Sequence, residues 1–148
     1  MYAIWKLLHV FGFVAWFVGL LATTGLQVVA RKAEDPLARQ TCWAGLRRFT
    51  PYELVGMVLT PVSGIALALT VYGSVFPRGA TFVHIKILLV LLAVIGNVVV
   101  FRLRGRAAPL AADGGPAYDK AMRRLAMVQG LATLMLPLAV IVVVFRVG

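Results

Sequence analysis

Apolar residues along this chain are gathered into four long runs, near residues 3–30, 51–76, 80–101 and 121–146, separated by short polar or basic stretches. Each run is long enough for a helix crossing about 30 Å of hydrocarbon, which takes about 20 residues. A helix satisfies its own backbone hydrogen bonds in lipid, where no water is available to do so. The pattern therefore predicts an all-α integral membrane four-helix bundle, a single transmembrane domain over residues 1–148. The first run is too long for a signal peptide, and its strongest cations, Arg31 and Lys32, follow it where a signal peptide would carry them in front. It is expected to stay as a span.

Local signals refine the ends. Thr50-Pro51-Tyr52-Glu53 offers a capping hydroxyl, a proline at the first helical position and a glutamate to complete a capping box, so the second helix is expected to begin there. Pro61 and Pro137 fall inside runs and predict kinks packed against neighbouring helices. Leu37 to Phe49 reads as a short interfacial helix carrying Trp43, and Ala107 to Pro116 as a flexible linker.

Charge adds an orientation. Residues 31–50 carry Arg31, Lys32, Arg39, Arg47 and Arg48, and residues 102–124 carry Arg102, Arg104, Arg106, Lys120, Arg123 and Arg124, whereas the link at 77–79 has only Arg78. The positive-inside rule places both basic loops in the cytoplasm and both termini outside a bacterial cytoplasmic membrane. Tyr2, Trp5, Tyr72, Phe76, Phe82 and Phe145 then form an outer aromatic belt, with Tyr52, Phe101 and Tyr118 towards the inner face. Composition agrees: 61% of the residues are apolar and 14% charged, against about a quarter charged in a soluble domain. The net charge of +10 sits beside the apolar runs and forms no separate basic, aromatic-interleaved region, so lipid and not nucleic acid is the expected partner. Homo-oligomerisation is a further option. The lone Cys42 rules out an intrachain disulfide.

Two histidines carry the candidate chemistry. His9 and His84 each lie a few residues into inward-running helices, at roughly 5–10 Å depth by the 1.5 Å rise per residue, so they can be level. Two neutral imidazoles facing each other suit the axial positions of a b-type haem, or a copper or zinc ion with few other ligands. Plain interfacial hydrogen bonding suits them as well. Gly12, Phe13, Trp16 and Gly19 follow His9 at helical spacing, as walls and notches for a flat cofactor or as ordinary helix packing. Lys6, Arg78, Lys86 and Arg146 are the outer-side cations, for haem propionates or for lipid phosphates. Lys86 follows His84 by two residues, about 200° around a helix, so the two share a cavity only if the helix starts late.

Deeper in the spans, Gln27, Asn97 and Gln129 are expected to share one polar layer as interhelical glue. Met57, Met127 and Met135 fill gaps or offer Cu(I) a soft path. Glu53, the sole acid near a span, is accounted for as a cap. No hydrolytic triad, phosphate-binding glycine loop or Cys-x-x-Cys-His haem attachment motif is present.

The run Lys6-Leu-Leu-His9-Val-Phe-Gly12-Phe-Val-Ala-Trp16-Phe-Val-Gly19-Leu, with Thr60-Pro-Val-Ser-Gly64 and His84-Ile-Lys86-Ile-Leu-Leu-Val, resembles small bacterial membrane proteins. These include the HemJ-type protoporphyrinogen oxidases and the membrane domain of CopD-type copper-resistance proteins. The similarity covers three helices. It implies haem ligation by His9 and a functional, proton-transferring role for Lys86. The expected function is therefore a haem b membrane redox protein, transferring electrons to or from an unspecified redox partner and acting on a hydrophobic substrate such as protoporphyrinogen or a quinol. A copper-handling protein and a non-catalytic accessory subunit are the alternatives.

Overall fold

A computed structural model describes residues 1–76, 79 and 81–145, the side chain of Val143 excepted. Arg78, Arg146 and Gly148 lie outside the described residues. Four helices, α1 (Tyr2–Lys32), α2 (Pro36–Tyr72), α3 (Thr81–Ala107) and α4 (Gly115–Phe145), are joined by short links, with one 3₁₀ turn at Ala108–Ala111. All four are long and apolar enough to cross a membrane, and no strand occurs among the described residues.

α2 starts fifteen residues before the expected capping box. Asp35 is the cap, accepting from the backbone N–H groups of Leu37 and Ala38 at 3.2 and 3.1 Å, with Pro36 at the first helical position. This is the same cap-and-proline logic as Thr50-Pro51. The stretch Leu37 to Phe49 is therefore no separate interfacial helix; it continues unbroken through Pro51 into the span. Pro51 offers no N–H to the Arg47 carbonyl, a loss that the packing on either side outweighs. Pro61 and Pro137 likewise lie within continuous helices. α2 ends where Gly73 takes a left-handed backbone (φ 68°) and its N–H bonds the Leu69 carbonyl, a conformation that favours glycine.

The chain folds as two antiparallel hairpins, α1 with α2 and α3 with α4, meeting chiefly through α1 and α4. Glycines set the first pairing. A Cβ on Gly56 would run into the backbone of Trp16 and Gly12, and one on Gly19 would meet Glu53 at 2.9 Å. Only hydrogen side chains allow these backbones to approach, the small-residue packing that membrane helices use where lipid removes the hydrophobic drive.

At the end bearing the basic loops, a core forms from Ala30, Trp43, Leu46, Val100, Tyr118 and Leu125 with their neighbours. Trp43 and Tyr118 are buried here rather than belted at an interface: Trp43 Nε1 donates to Tyr118 Oη, which donates to the Ala30 carbonyl, both at 3.3 Å. The segment after α3 is no flexible linker. Ala107 and Ala111 are buried, and Arg39 Nε donates to the Ala111 carbonyl at 3.1 Å. A second cluster at mid-bundle gathers Trp16, Leu20, Ala93 and Leu136.

Between the two clusters lies a buried charge pair. Arg104 of α3 binds Glu53 of α2, one nitrogen bridging to Oε2 and Nη2 reaching Oε1 at 3.1 Å; Glu53 is fully buried and Arg104 6% exposed. Glu53 is thus an ion-pair partner inside a continuous helix, not a cap, and Arg104 is not a loop cation. Thr23 Oγ1 accepts from Arg104 Nη2 at 2.8 Å and donates to Glu53 Oε1 at 3.0 Å. Gln129 Oε1 accepts from Arg104 Nη2 at 3.1 Å, while its Nε2 donates to Thr24 Oγ1 at 2.7 Å. With the Gln27 oxygen turned to the guanidinium, it accepts from Arg104 Nε at 2.9 Å and its amide donates to Gln129. All four helices contribute.

Removing one charge of such a pair leaves the other buried without a partner, which costs about 3–5 kcal/mol. Arg104→Leu is expected to lower resistance to unfolding in detergent by that much, while Glu53→Leu with Arg104→Leu recovers most of it. Denaturant titration followed by tryptophan fluorescence measures both, and equal losses in the two variants would contradict the role assigned to the pair.

Candidate functional site

His9 faces inward from the first third of α1. Its Nδ1 lies 2.8 Å from the Thr60 carbonyl and 3.3 Å from Ser63 Oγ, both on α2. A carbonyl only accepts, so Nδ1 carries the proton, and Nε2 is left with its lone pair. Ser63 is held by its own bond to the Leu59 carbonyl. Gly64 makes room for the ring: a Cβ there would stand 3.1 Å from His9 Cε1.

Nε2 meets Lys86, whose Nζ lies 3.1 Å away and donates to it. Lys86 arrives from α3, so the pair joins the two hairpins at the end opposite Glu53–Arg104. One ammonium hydrogen is used on His9, which leaves others for a ligand. Beside the pair opens a cleft of about 180 Å³, walled by Phe13, Val90, Leu136 and Val140 and otherwise almost wholly apolar. Phe13 stacks on Phe17, their centroids 5.9 Å apart. Val10, Val140 and Val144 are exposed side chains on what is, in a membrane, the lipid-facing surface, so the cleft is open sideways.

The structure separates the two histidines. His84 is exposed and packs against Phe76, ring centroids 5.8 Å apart, while Lys86 takes the inward position beside His9. The reason is angular: residues two apart on a helix point about 200° apart, so α3 can direct only one of them at α1. A haem held axially between His9 and His84 does not fit this arrangement, because His84 is turned away and both nitrogens of His9 are engaged. Gly12 and Trp16 are packing residues, Gly12 against Thr60 and Leu59 and Trp16 against Gly56, and neither walls the cleft. Phe13 does. Lys6 is exposed.

The copper path does not assemble either. Met57 and Met135 pack around the Trp16 cluster, whereas Met127 is 68% exposed near the basic end. Among the described residues, no three of His, Cys, Asp and Glu come together as a metal site. Of the residues singled out from the sequence, the fold brings His9, Phe13 and Lys86 together, and it adds Thr60 and Ser63, which the sequence analysis did not name as contacts of His9. A usable signal existed, since Thr60 and Ser63 sit one and two turns beyond Gly56 on the face that meets α1.

Protein purified with added haem is expected to give no low-spin bis-imidazole spectrum, and His84→Ala to leave any ligand bound at His9 undisturbed. A low-spin spectrum lost in both His9→Ala and His84→Ala would show that the two histidines meet. No family model, curated protein or solved structure matches the chain.

Proposed function

We propose that the protein is a membrane redox protein whose cleft takes a quinone or quinol from the lipid and exchanges its protons through Lys86 and His9. One observation carries the reading: a lysine and a histidine in mutual hydrogen bond, 3.1 Å apart, at the head of an apolar cleft that opens sideways. A lone intramembrane lysine is costly, and such residues mark ligand or proton sites. The cleft's size favours a single ring over a macrocycle. A dry apolar cavity of about 150 Å³ accepts benzene, and about 180 Å³ is available here. A porphyrinogen needs several times that, whereas a quinone ring fits with its apolar tail left in lipid.

The residues then divide the work. Lys86 donates a hydrogen bond to a quinone oxygen and, on two-electron reduction, delivers one of the two protons taken up; solvent at the outer mouth of the cleft supplies the other. The lone pair of His9 Nε2 holds Lys86 in place, and Thr60 holds His9 in the tautomer that makes this possible. Running in reverse, the pair receives one proton of a quinol and solvent the other. The two electrons travel to or from a separate redox partner. Phe13 flanks the ring.

Decylubiquinone and protoporphyrin IX, titrated against protein in nanodiscs, test the substrate class. Saturable binding of the quinone is expected, abolished by Val140→Trp, which fills the cleft. Lys86→Met removes a hydrogen bond to a charged donor, worth about 1.5–3 kcal/mol, and is expected to weaken binding roughly 10- to 150-fold. Quinone binding that neither variant alters overturns the reading, and saturable porphyrin binding alone returns it to a tetrapyrrole.

Orientation belongs to the same proposal. The basic loops face the cytoplasm of a bacterium and the cleft lies in the outer leaflet. In intact cells carrying Cys42→Ser, an impermeant maleimide is expected to label Ser74→Cys and to reach Asp113→Cys only after permeabilisation. The opposite pattern inverts the protein.

A further inference from the structure

Two polar centres stand at opposite ends of this bundle, and the stretch between them holds polar atoms that no protein group satisfies. Trp16 Nε1, Thr60 Oγ1, Thr133 Oγ1 and both amide atoms of Asn97 are buried with no protein partner. Trp16 and Asn97 are fully buried and Thr60 is 2% exposed, so no lipid headgroup or bulk water reaches them from outside. Leaving one such group unpaired in an apolar medium is costly. Buried polar side chains without a protein partner are the ones that ordered water satisfies.

Their spacing is the second observation. Trp16 is seven residues from His9 and seven from Thr23, hence about 10 Å along the axis from each centre. Asn97 is seven residues from Arg104, again about 10 Å, and eleven from Lys86, about 16 Å. Thr133 is one turn of α4 beyond Gln129. Thr60 is the junction: its carbonyl accepts from His9, and its hydroxyl is one of the unpartnered atoms. Each of the four helices thus contributes an unpartnered polar side chain to the stretch between Lys86–His9 and Glu53–Arg104. Nothing in helix packing requires this, because valine or leucine would fill these positions without an unsatisfied group.

We propose that ordered water links these side chains into a hydrated file between the Lys86–His9 pair and the Glu53–Arg104 network. Water bridges Thr60, Trp16, Asn97 and Thr133 and gives each the partner that no protein group supplies. The hydration of the file does not rest on the reading of the cleft above.

Trp16 reports on the water directly. With ¹⁵N-labelled tryptophan, its indole N–H, assigned through Trp16→Phe, is expected to show a cross-peak to water and to exchange into D₂O within minutes. Asn97→Leu is expected to slow that exchange by about tenfold or more. A Trp16 signal without a water cross-peak that survives days in D₂O overturns the proposal. So does Asn97→Leu that stabilises the protein and leaves exchange unmoved, since a dry, unsatisfied amide behaves in that way. Thr133→Val repeats the test at a second rung.

Loss of quinone binding in the cleft leaves these measurements in place, so the two readings fail separately.

Discussion

The Glu53–Arg104 pair is the constraint on which the bundle's geometry depends. In lipid, apolar helix faces gain little by leaving the hydrocarbon, so two hairpins with modest mutual contact need another reason to stay together. A carboxylate and a guanidinium, each costing several kcal/mol to desolvate, cannot separate within the membrane without stranding a charge. Thr23, Gln27 and Gln129 satisfy the remaining donors and acceptors, so all four helices are tied at one level. The pair contributes little net stability by itself. Its effect is on register.

Register is what carries the information to the far end. Lys86 and Arg104 are eighteen residues apart, five turns at 3.6 residues each, so they point in the same direction about 27 Å apart. Fixing Arg104 against Glu53 therefore aims Lys86 at the interior and turns His84 away. On α1, His9 and Gln27 are separated by the same interval, so the network that holds Gln27 also aims His9. The glycine contacts between α1 and α2 then set the depth at which His9 meets Thr60. A pair of titratable groups at one end is thereby positioned by an ion pair at the other.

This coupling explains what could be read from the sequence. The four spans were legible because length and hydrophobicity are local properties, and the face holding His9, Gly12, Phe13, Trp16 and Gly19 because helical spacing is local too. Glu53 misled because Thr50-Pro51-Tyr52-Glu53 satisfies every local requirement of a helix start, while Asp35-Pro36 had already begun the helix. Arg104 misled because positive charge beyond an apolar run normally reads as topology, and only a partner on another helix reveals that it points inward. The choice between His84 and Lys86 was open for the same reason: two residues, one helix, and no local feature to decide which faces the bundle. The five-turn interval from Arg104 decides it, but only once Arg104 is known to be buried.

The distribution of packing gives the cleft its character. Large buried side chains crowd the basic end, where Trp43, Leu46, Tyr118, Met122 and Leu125 close the core, and they thin out towards the termini, where Leu136 is the last large one. The hairpins are thus clamped at one end by charge and packing and diverge at the other, held there by one hydrogen bond between His9 and Lys86. A ligand that displaces this bond, or adds to it, works against little packed surface. Widening the cleft costs least at its mouth, where valine side chains touch lipid and not protein. A long lysine suits that position for a further reason: its stem lies along apolar walls while its head reaches either His9 or an oxygen beside it. Rigidity at the Glu53–Arg104 end and slack at the His9–Lys86 end are two consequences of one arrangement, since a clamp at both ends would leave the hydrocarbon no way in.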